Sequence, residues 1–300
     1  QIFTNKDRYH NHIMNKDEQS RVVVITGASS GIGEALAYIY ASKKQTTLVL
    51  ASRDVTKLNV VAKKCKQLGC NQCIVIGYDA AKQSDCQSLI EQTIKRFKKI
   101  DLLILNAGVS YHNLFTATEN LSVYRDMMNI NFFGYMYTTY YALPHMISQS
   151  SGANATKPQI AVVSSVSGEL GLPLRAGYCA SKFAVNGFFE SLRMEVPQVD
   201  FTMLLPTSVN TPMRTHSLGA TEKKSVQFNE DESKRMSLED CCNIMVSSIE
   251  GRRKKVVFPF SNYLATVIKP IFPSFIEKMA LKKAGGSVSA SSTRPQLKAK

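Results

Sequence analysis

Residues 21–33 read RVVVITGASSGIG, and EALAYIYASK follows without a break. Residues 21–26 are a short β-branched run with no polar alternation, the pattern of a strand buried on both faces. Gly27, Gly31 and Gly33 then form a turn of the type G-x-x-x-G-x-G, and helical periodicity begins directly after it. Glycines in such a turn let the backbone approach a pyrophosphate, and the N-terminus of the next helix offers unsatisfied N–H groups and partial positive charge. A glycine turn alone also serves as a plain strand-to-helix connection. The strand before it and the helix after it favour nucleotide binding here.

Outward from this unit the alternation repeats. TTLVLAS (46–52), CIVIGYD (73–79), DLLILNAG (101–108), QIAVVSS (159–165) and DFTMLLP (200–206) read as strands. Helical segments fall at about 55–68, 85–97, 122–148 and 176–193 between them. Strands alternating with crossover-length helices predict an α/β fold: a Rossmann-like, doubly wound parallel sheet with helices on both faces, in a single domain. That domain is expected over residues 21–260, after a polar leader at 1–20. Residues 207–236 are polar and lack apolar periodicity, which suits a mobile substrate flap. Residues 261–284 mix Leu, Ile, Phe and Pro with flanking lysines, and read as a helix over the substrate mouth, an interfacial membrane segment, or both. Residues 285–300 are low in complexity and are expected to form a disordered basic tail.

The totals narrow the classes. At 300 residues and 44% apolar content the chain can bury a large core. No run of eighteen apolar residues occurs, so no spanning helix is expected. The first residue is Gln1, which leaves room for a missing N-terminal anchor. Much of the +14 formal charge lies in Arg252, Arg253, Lys254, Lys255, Lys282, Lys283, Arg294, Lys298 and Lys300. No zinc-finger spacing or RNA-binding aromatic signature accompanies it, so a solvated face ranks first, membrane-surface attraction second and nucleic acid a distant third. The seven cysteines form no framework and read as reduced thiols; Cys70-x-x-Cys73 has no second ligand pair, and no metal site is expected.

Candidate chemistry sits at predicted strand ends. Ser52 and Arg53 close the second strand, where an acidic residue would accept from the ribose hydroxyl of NAD and an arginine pairs with the 2′-phosphate of NADP. NADP(H) is therefore the expected cofactor. Asp79, after the third strand, can accept from the adenine amino group. Tyr178 and Lys182, at i and i+4, share a helix face. A lysine charge about 5 Å away, at an effective dielectric of about 20, favours the phenolate by roughly 3 kcal/mol, or about two pKa units. That brings a phenol into the range of useful proton transfer. Ser165 ends a strand thirteen residues earlier, Asn131 lies in the long helical region, and Asn106-Ala107-Gly108 closes the fourth strand.

Together these residues resemble the short-chain dehydrogenase/reductase family. TGxxxGxG, NAG, the N-x-N-x-x-G stretch and Ser followed by Tyr-x-x-x-Lys occur in the family order and spacing over about residues 21–212. The resemblance implies that Tyr178 is the general acid/base, that Ser165 holds the substrate oxygen, and that Lys182 lowers the tyrosine pKa and holds the nicotinamide ribose. Asn131 would hold a water linking that lysine to solvent. It also implies cofactor contacts at Gly27, Ser29, Ser30, Gly31, Ile32, Gly33, Ser52, Arg53, Asp79, Asn106, Ala107, Gly108, Tyr178, Lys182, Pro206, Val209 and Thr211. Within the family, SGIGEALAYIYA, LILNAGVS, YCASKFAVNGFFESLRMEV and the C-terminal apolar segment look most like the 11β-hydroxysteroid dehydrogenase type. That similarity implies a lipophilic ketone or secondary alcohol, steroid-like or another lipid, as substrate. It also implies membrane association, at the endoplasmic reticulum or from the cytoplasm, and a homodimer built on helices around 122–148 and 178–195. Two departures stand out: Pro206 is followed by Thr207 where the family has glycine, and Ser30 replaces a basic residue that many NADP-preferring members carry. The rival reading is a catalytically silent dinucleotide-binding or lipid-surface scaffold; its mark would be loss of Ser165, Tyr178 or Lys182, and all three are present.

Overall fold

The structure, a computed structural model, describes residues 20–151, 156–214, 217–218 and 235–283. Seven strands form one sheet: β1 (Arg21–Thr26), β2 (Thr46–Ser52), β3 (Gln72–Gly77), β4 (Leu102–Leu105), β5 (Gln159–Val163), β6 (Asp200–Pro206) and β7 (Lys255–Phe258). Their order is β3-β2-β1-β4-β5-β6-β7, and every pairing is parallel. The connecting helices are α1 (Gly31–Ala41), α2 (Val55–Gln67), α3 (Gln83–Phe97), α4 (Ser122–Met128), α5 (Gly134–Gln149), α6 (Ala176–Glu195) and α7 (Leu238–Glu250). Two more, α8 (Phe260–Ile268) and α9 (Pro273–Lys283), follow the last strand.

Strand periodicity sorts the core into two layers. Val22, Val24, Leu103 and Leu105 meet Tyr135, Met146 and Phe189 on one face of the sheet. Val23, Ile25, Leu48 and Leu50 meet Leu36, Tyr40, Leu58 and Met245 on the other. Burial on both faces explains why the strands read as unbroken apolar runs. β1 has β2 on one side and β4 on the other, so the chain order reverses there. Crevices outside the carboxyl ends of strands at such a reversal are where ligands bind in open α/β sheets.

The single long helix expected near 122–148 is divided. A π-helical turn, Asn129–Phe133, separates α4 from α5. Two contacts account for the break: the Asn131 side chain bonds to the main chain of Val109, and Gly134 lies so close to Ala80 that a Cβ would stand 2.6 Å from its carbonyl oxygen. Tertiary hydrogen bonds thus override helix propensity at this point.

The C-terminal apolar segment forms α8 and α9, with Pro270 between them and Pro273 opening the second. Ile276 packs on Val166 and Leu170, whereas Phe260, Ile271 and Phe272 are exposed at 74%, 71% and 61%. No helix among the described residues is long and apolar enough to cross a membrane. The expected leader (1–20) apart from Ser20, the tail (285–300) and most of the expected flap lie outside the described residues; of the flap, Val209 bridges to Met236 and a 3₁₀ turn covers Pro212–Arg214.

Candidate active site

The glycine turn is shaped by its neighbours. Gly27 and Gly31 have φ of +67° and +58°, which glycine adopts without the steric cost a side chain brings. Gly33 packs so closely that an added Cβ would lie 2.3 Å from the Gly27 carbonyl oxygen and 2.6 Å from Asn106 Nδ2. Asn106 Nδ2 donates to the carbonyls of Thr26 (3.1 Å) and Gly27 (3.2 Å), while Thr26 Oγ1 accepts from the N–H groups of Asn106 and Ala107. The Asn-Ala-Gly segment therefore fastens the end of β4 to the turn after β1. Ser30, at the start of α1, makes no side-chain cap, so its hydroxyl does not engage the first helical N–H groups. An anion at this helix end meets unsatisfied donors.

Asn131 is fully buried. Its Oδ1 accepts from Val109 N at 2.8 Å, and its Nδ2 donates to Val109 O (3.0 Å) and Ser181 Oγ (2.9 Å). Ser181 Oγ in turn donates to Tyr178 O at 2.8 Å. The residue thus ties the loop after β4 to the helix that carries Tyr178, and every polar atom of its side chain is engaged.

Ser165 stands just past β5, its Oγ accepting from Ser167 N at 3.1 Å and within hydrogen-bonding reach of Tyr178. Lys182 is 4% exposed. Its Nζ donates to Val163 O at 3.0 Å, and Tyr135 OH donates to the same carbonyl at 3.1 Å. The ammonium lies 5.9 Å from the centre of the Tyr178 ring. Burial pushes Lys182 down to about 7. Burial also pushes Tyr178 above its ordinary value, against which the Arg175 charge and the Ser165 hydrogen bond pull it down.

This corrects the expectation of a phenol lowered by its lysine. Desolvation acts on both groups once they are buried, and opposes the attraction between their charges. The cation opposing it at Tyr178 is Arg175.

A cleft of about 360 Å³ runs along the carboxyl ends of the strands and collects nearly all of the expected site. Gly27, Ser29, Ser30, Gly31, Ile32, Ser52, Arg53, Asp79, Asn106, Ala107, Gly108, Ser165, Tyr178, Lys182, Pro206, Val209 and Thr211 line it. Gly33 and Asn131 stand behind the wall and act through the contacts given above. Lys57, His112 and Arg175 line it too and were not foreseen as site residues. Only Arg175 had a visible signal, a cation three residues before the tyrosine. Met213 also lines the cleft, whereas Leu170 is buried against Ile276 and belongs to the core under α9.

A model of the short chain dehydrogenase family matches residues 21–222. The chain is 36% identical over 256 residues to an 11-beta-hydroxysteroid dehydrogenase of Pinus massoniana, covering 82% of this chain and 69% of that one. It is 42% identical over 196 residues to the 11-beta-hydroxysteroid dehydrogenase-like 3 protein of Arabidopsis thaliana, covering 65% of this chain and 61% of that one. Among solved structures, a short chain dehydrogenase/reductase from Burkholderia phymatum in complex with NAD superimposes with a TM-score of 0.74, covering 86% of this chain and 96% of that one at 22% identity. The fold and family are those of an oxidoreductase with a dinucleotide-binding sheet. The chain belongs to the short-chain dehydrogenase family, and the two relatives given above are named as 11-beta-hydroxysteroid dehydrogenase and 11-beta-hydroxysteroid dehydrogenase-like.

Proposed function

We propose that the protein is an NADP(H)-dependent oxidoreductase acting on a lipophilic ketone or secondary alcohol, with Tyr178 as general acid/base. The convergence of Ser165, Tyr178 and Lys182 in the cleft that begins at the glycine turn carries this reading. When bound, the nicotinamide supplies or accepts the hydride. Gly27 and Gly31 line the cleft in left-handed conformations and Gly33 lets the turn pack tightly on Asn106, so the unsatisfied N–H groups at the start of α1 would hold the pyrophosphate. Tyr178 gives its proton to the carbonyl oxygen in reduction and recovers it in oxidation; Ser165 hydrogen-bonds that oxygen and fixes its position. Lys182, anchored at Val163 O, would hold the ribose hydroxyls with its remaining donors. Asn131 positions α6, since its side chain ties Val109 to Ser181 and so to Tyr178.

The preference for NADP(H) is supported by Arg53, which is exposed at the end of β2. The adjacent acid is withdrawn: Asp54 accepts from Lys57 N at 2.9 Å and pairs with Lys57 Nζ at 3.4 Å. A guanidinium without a neighbouring free carboxylate suits a phosphate better than a ribose hydroxyl.

The exposed apolar residues of α8 and α9, beside Lys269, Lys278 and Lys282, support peripheral attachment to a membrane surface. Flotation with anionic vesicles tests this: a chain that stays unbound removes it. The fold carries no feature specific to the endoplasmic reticulum. Exposed Tyr140 on α5 and Met194 on α6 are available to a homodimer. The main test is NADPH oxidation against a panel of steroid, retinoid and aliphatic carbonyls. Turnover supports the reading; tight NADPH binding with no turnover across the panel supports the scaffold alternative.

A further inference from the structure

The reaction cleft holds two guanidinium groups that make no ion pair or side-chain hydrogen bond among the described residues, Arg53 and Arg175. They stand apart in the fold. Arg53 follows β2, whereas Arg175 directly precedes α6 beside Ser165 and Tyr178, with β1 and β4 lying between β2 and β5. The first is accounted for by the adenosine end of a dinucleotide. The second is not.

Arg175 is held in place by its backbone. Leu174 takes a left-handed conformation, φ +63°, a costly state for a leucine, and its carbonyl accepts from Asn113 N at 3.0 Å. This fastens the segment before α6 to the loop after β4 and sets Arg175 in the cleft wall. Glu169, six residues earlier in the chain, is engaged elsewhere: its Oε1 accepts from Lys255 Nζ and from Asn186 Nδ2, each at 2.7 Å. Arg175 is half-buried, permanently charged and rigidly forked, and no carboxylate among the described residues answers it. The cleft wall that Arg175 shares is partly apolar, through Met213 and Val209.

We infer that Arg175 is a specificity residue and that the substrate is an amphiphilic anion: a ketone or secondary alcohol carrying a carboxylate, which the guanidinium holds while the reacting carbon faces Ser165 and Tyr178. This rests on the hydride-transfer reading and deepens it by naming a substrate class. A carboxylate on Arg175 gains paired, charge-assisted hydrogen bonds, which the corresponding ester cannot form.

The test uses para-acetylbenzoate and its methyl ester, a matched pair that differs in charge. Calorimetric titration of the enzyme loaded with NADP⁺ should show the wild type binding the acid at least about tenfold more tightly than the ester, the factor expected of one hydrogen-bonded charge. Arg175→Gln should bring the two affinities to parity, and Arg175→Lys should restore part of the preference. The ratio of kcat/KM for acid over ester in NADPH oxidation should fall in parallel, and taking the ratio cancels any effect of Arg175 on Tyr178 itself. A wild type that binds the acid no better than the ester, or not at all, overturns the assignment, as does a ratio unchanged in Arg175→Gln. A binding preference lost in Arg175→Gln but without turnover supports the anion site and counts against hydride transfer. Turnover of both compounds with no dependence on residue 175 does the reverse.

Discussion

Lys182 Nζ and Val163 O are joined by a 3.0 Å hydrogen bond at the floor of the cleft. The carbonyl is at the end of β5, so the sheet itself sets the height of the ammonium. Tyr135 donates to the same oxygen from behind and completes the anchor. The position is expensive for a cation, and burial brings Lys182 to about 7 from an ordinary value of 10.5. Below about 7 both folded and unfolded chains hold the proton; between about 7 and 10.5 only the unfolded chain does, so this group makes stability rise with pH across that window. Denaturant titrations of the cofactor-free protein should show the Lys182→Met variant gaining stability relative to wild type as pH falls from about 10 to about 7. A difference independent of pH means that the lysine keeps its ordinary value.

Ser165 should affect both rate and pH dependence. Its hydrogen bond stabilises the phenolate of Tyr178, so its removal moves the phenol further up. Ser165→Ala is expected to lower kcat by about 10²–10³, the usual effect of losing one oxyanion donor. In the oxidation direction, which needs the phenolate, the ascending limb of the pH profile should also move to higher pH. A lower kcat with an unmoved limb assigns Ser165 to substrate positioning alone.

Cofactor choice is expected to turn on Arg53. Arg53→Asp should weaken NADPH binding by at least about tenfold, as loss of a charge-assisted phosphate contact does, and should leave NADH binding equal or better. Fluorescence titration with each dinucleotide measures this. An unchanged NADPH affinity removes the phosphate-pairing role.

Gly33→Ala should be the most damaging small change in the turn. Its methyl would stand 2.3 Å from the Gly27 carbonyl, so backbone must move, and overpacking of that kind costs about 1–3 kcal/mol. Gly31→Ala meets ordinary contact with Thr211 at 3.5 Å and incurs only the left-handed backbone cost, about 1–2 kcal/mol. Both unfolding midpoints should fall, but NADPH affinity should suffer more in Gly33→Ala, where Asn106 is displaced as well.

The fold was legible because its signals are local and repeated. Val22 to Ile25 and Leu48 to Leu50 read as strands buried on two faces, and the structure places them between two helical layers. The cleft residues were found by motif, and the sheet brings them to one edge. What escaped depends on contacts distant in sequence. The π-turn at Asn129–Phe133 exists because Asn131 bonds to Val109 and Ser181, which no local pattern announces. The upward shift of Tyr178 comes from the packing that buries it, and the withdrawal of Asp54 from the ribose site comes from its capping of α2. Arg175 was missed as a site residue for the same reason: its place in the cleft wall, without an ion-pair partner among the described residues, shows only in the fold.

Proton donation from Tyr178 is the centre of the account, and a single-turnover experiment with deuterium-labelled NADPH tests it most directly. Tyr178→Phe should bind NADPH as the wild type does and remain folded, yet transfer label to a carbonyl substrate at least about a hundredfold more slowly, as expected when a general acid is lost. Transfer at the wild-type rate in that variant would contradict the account.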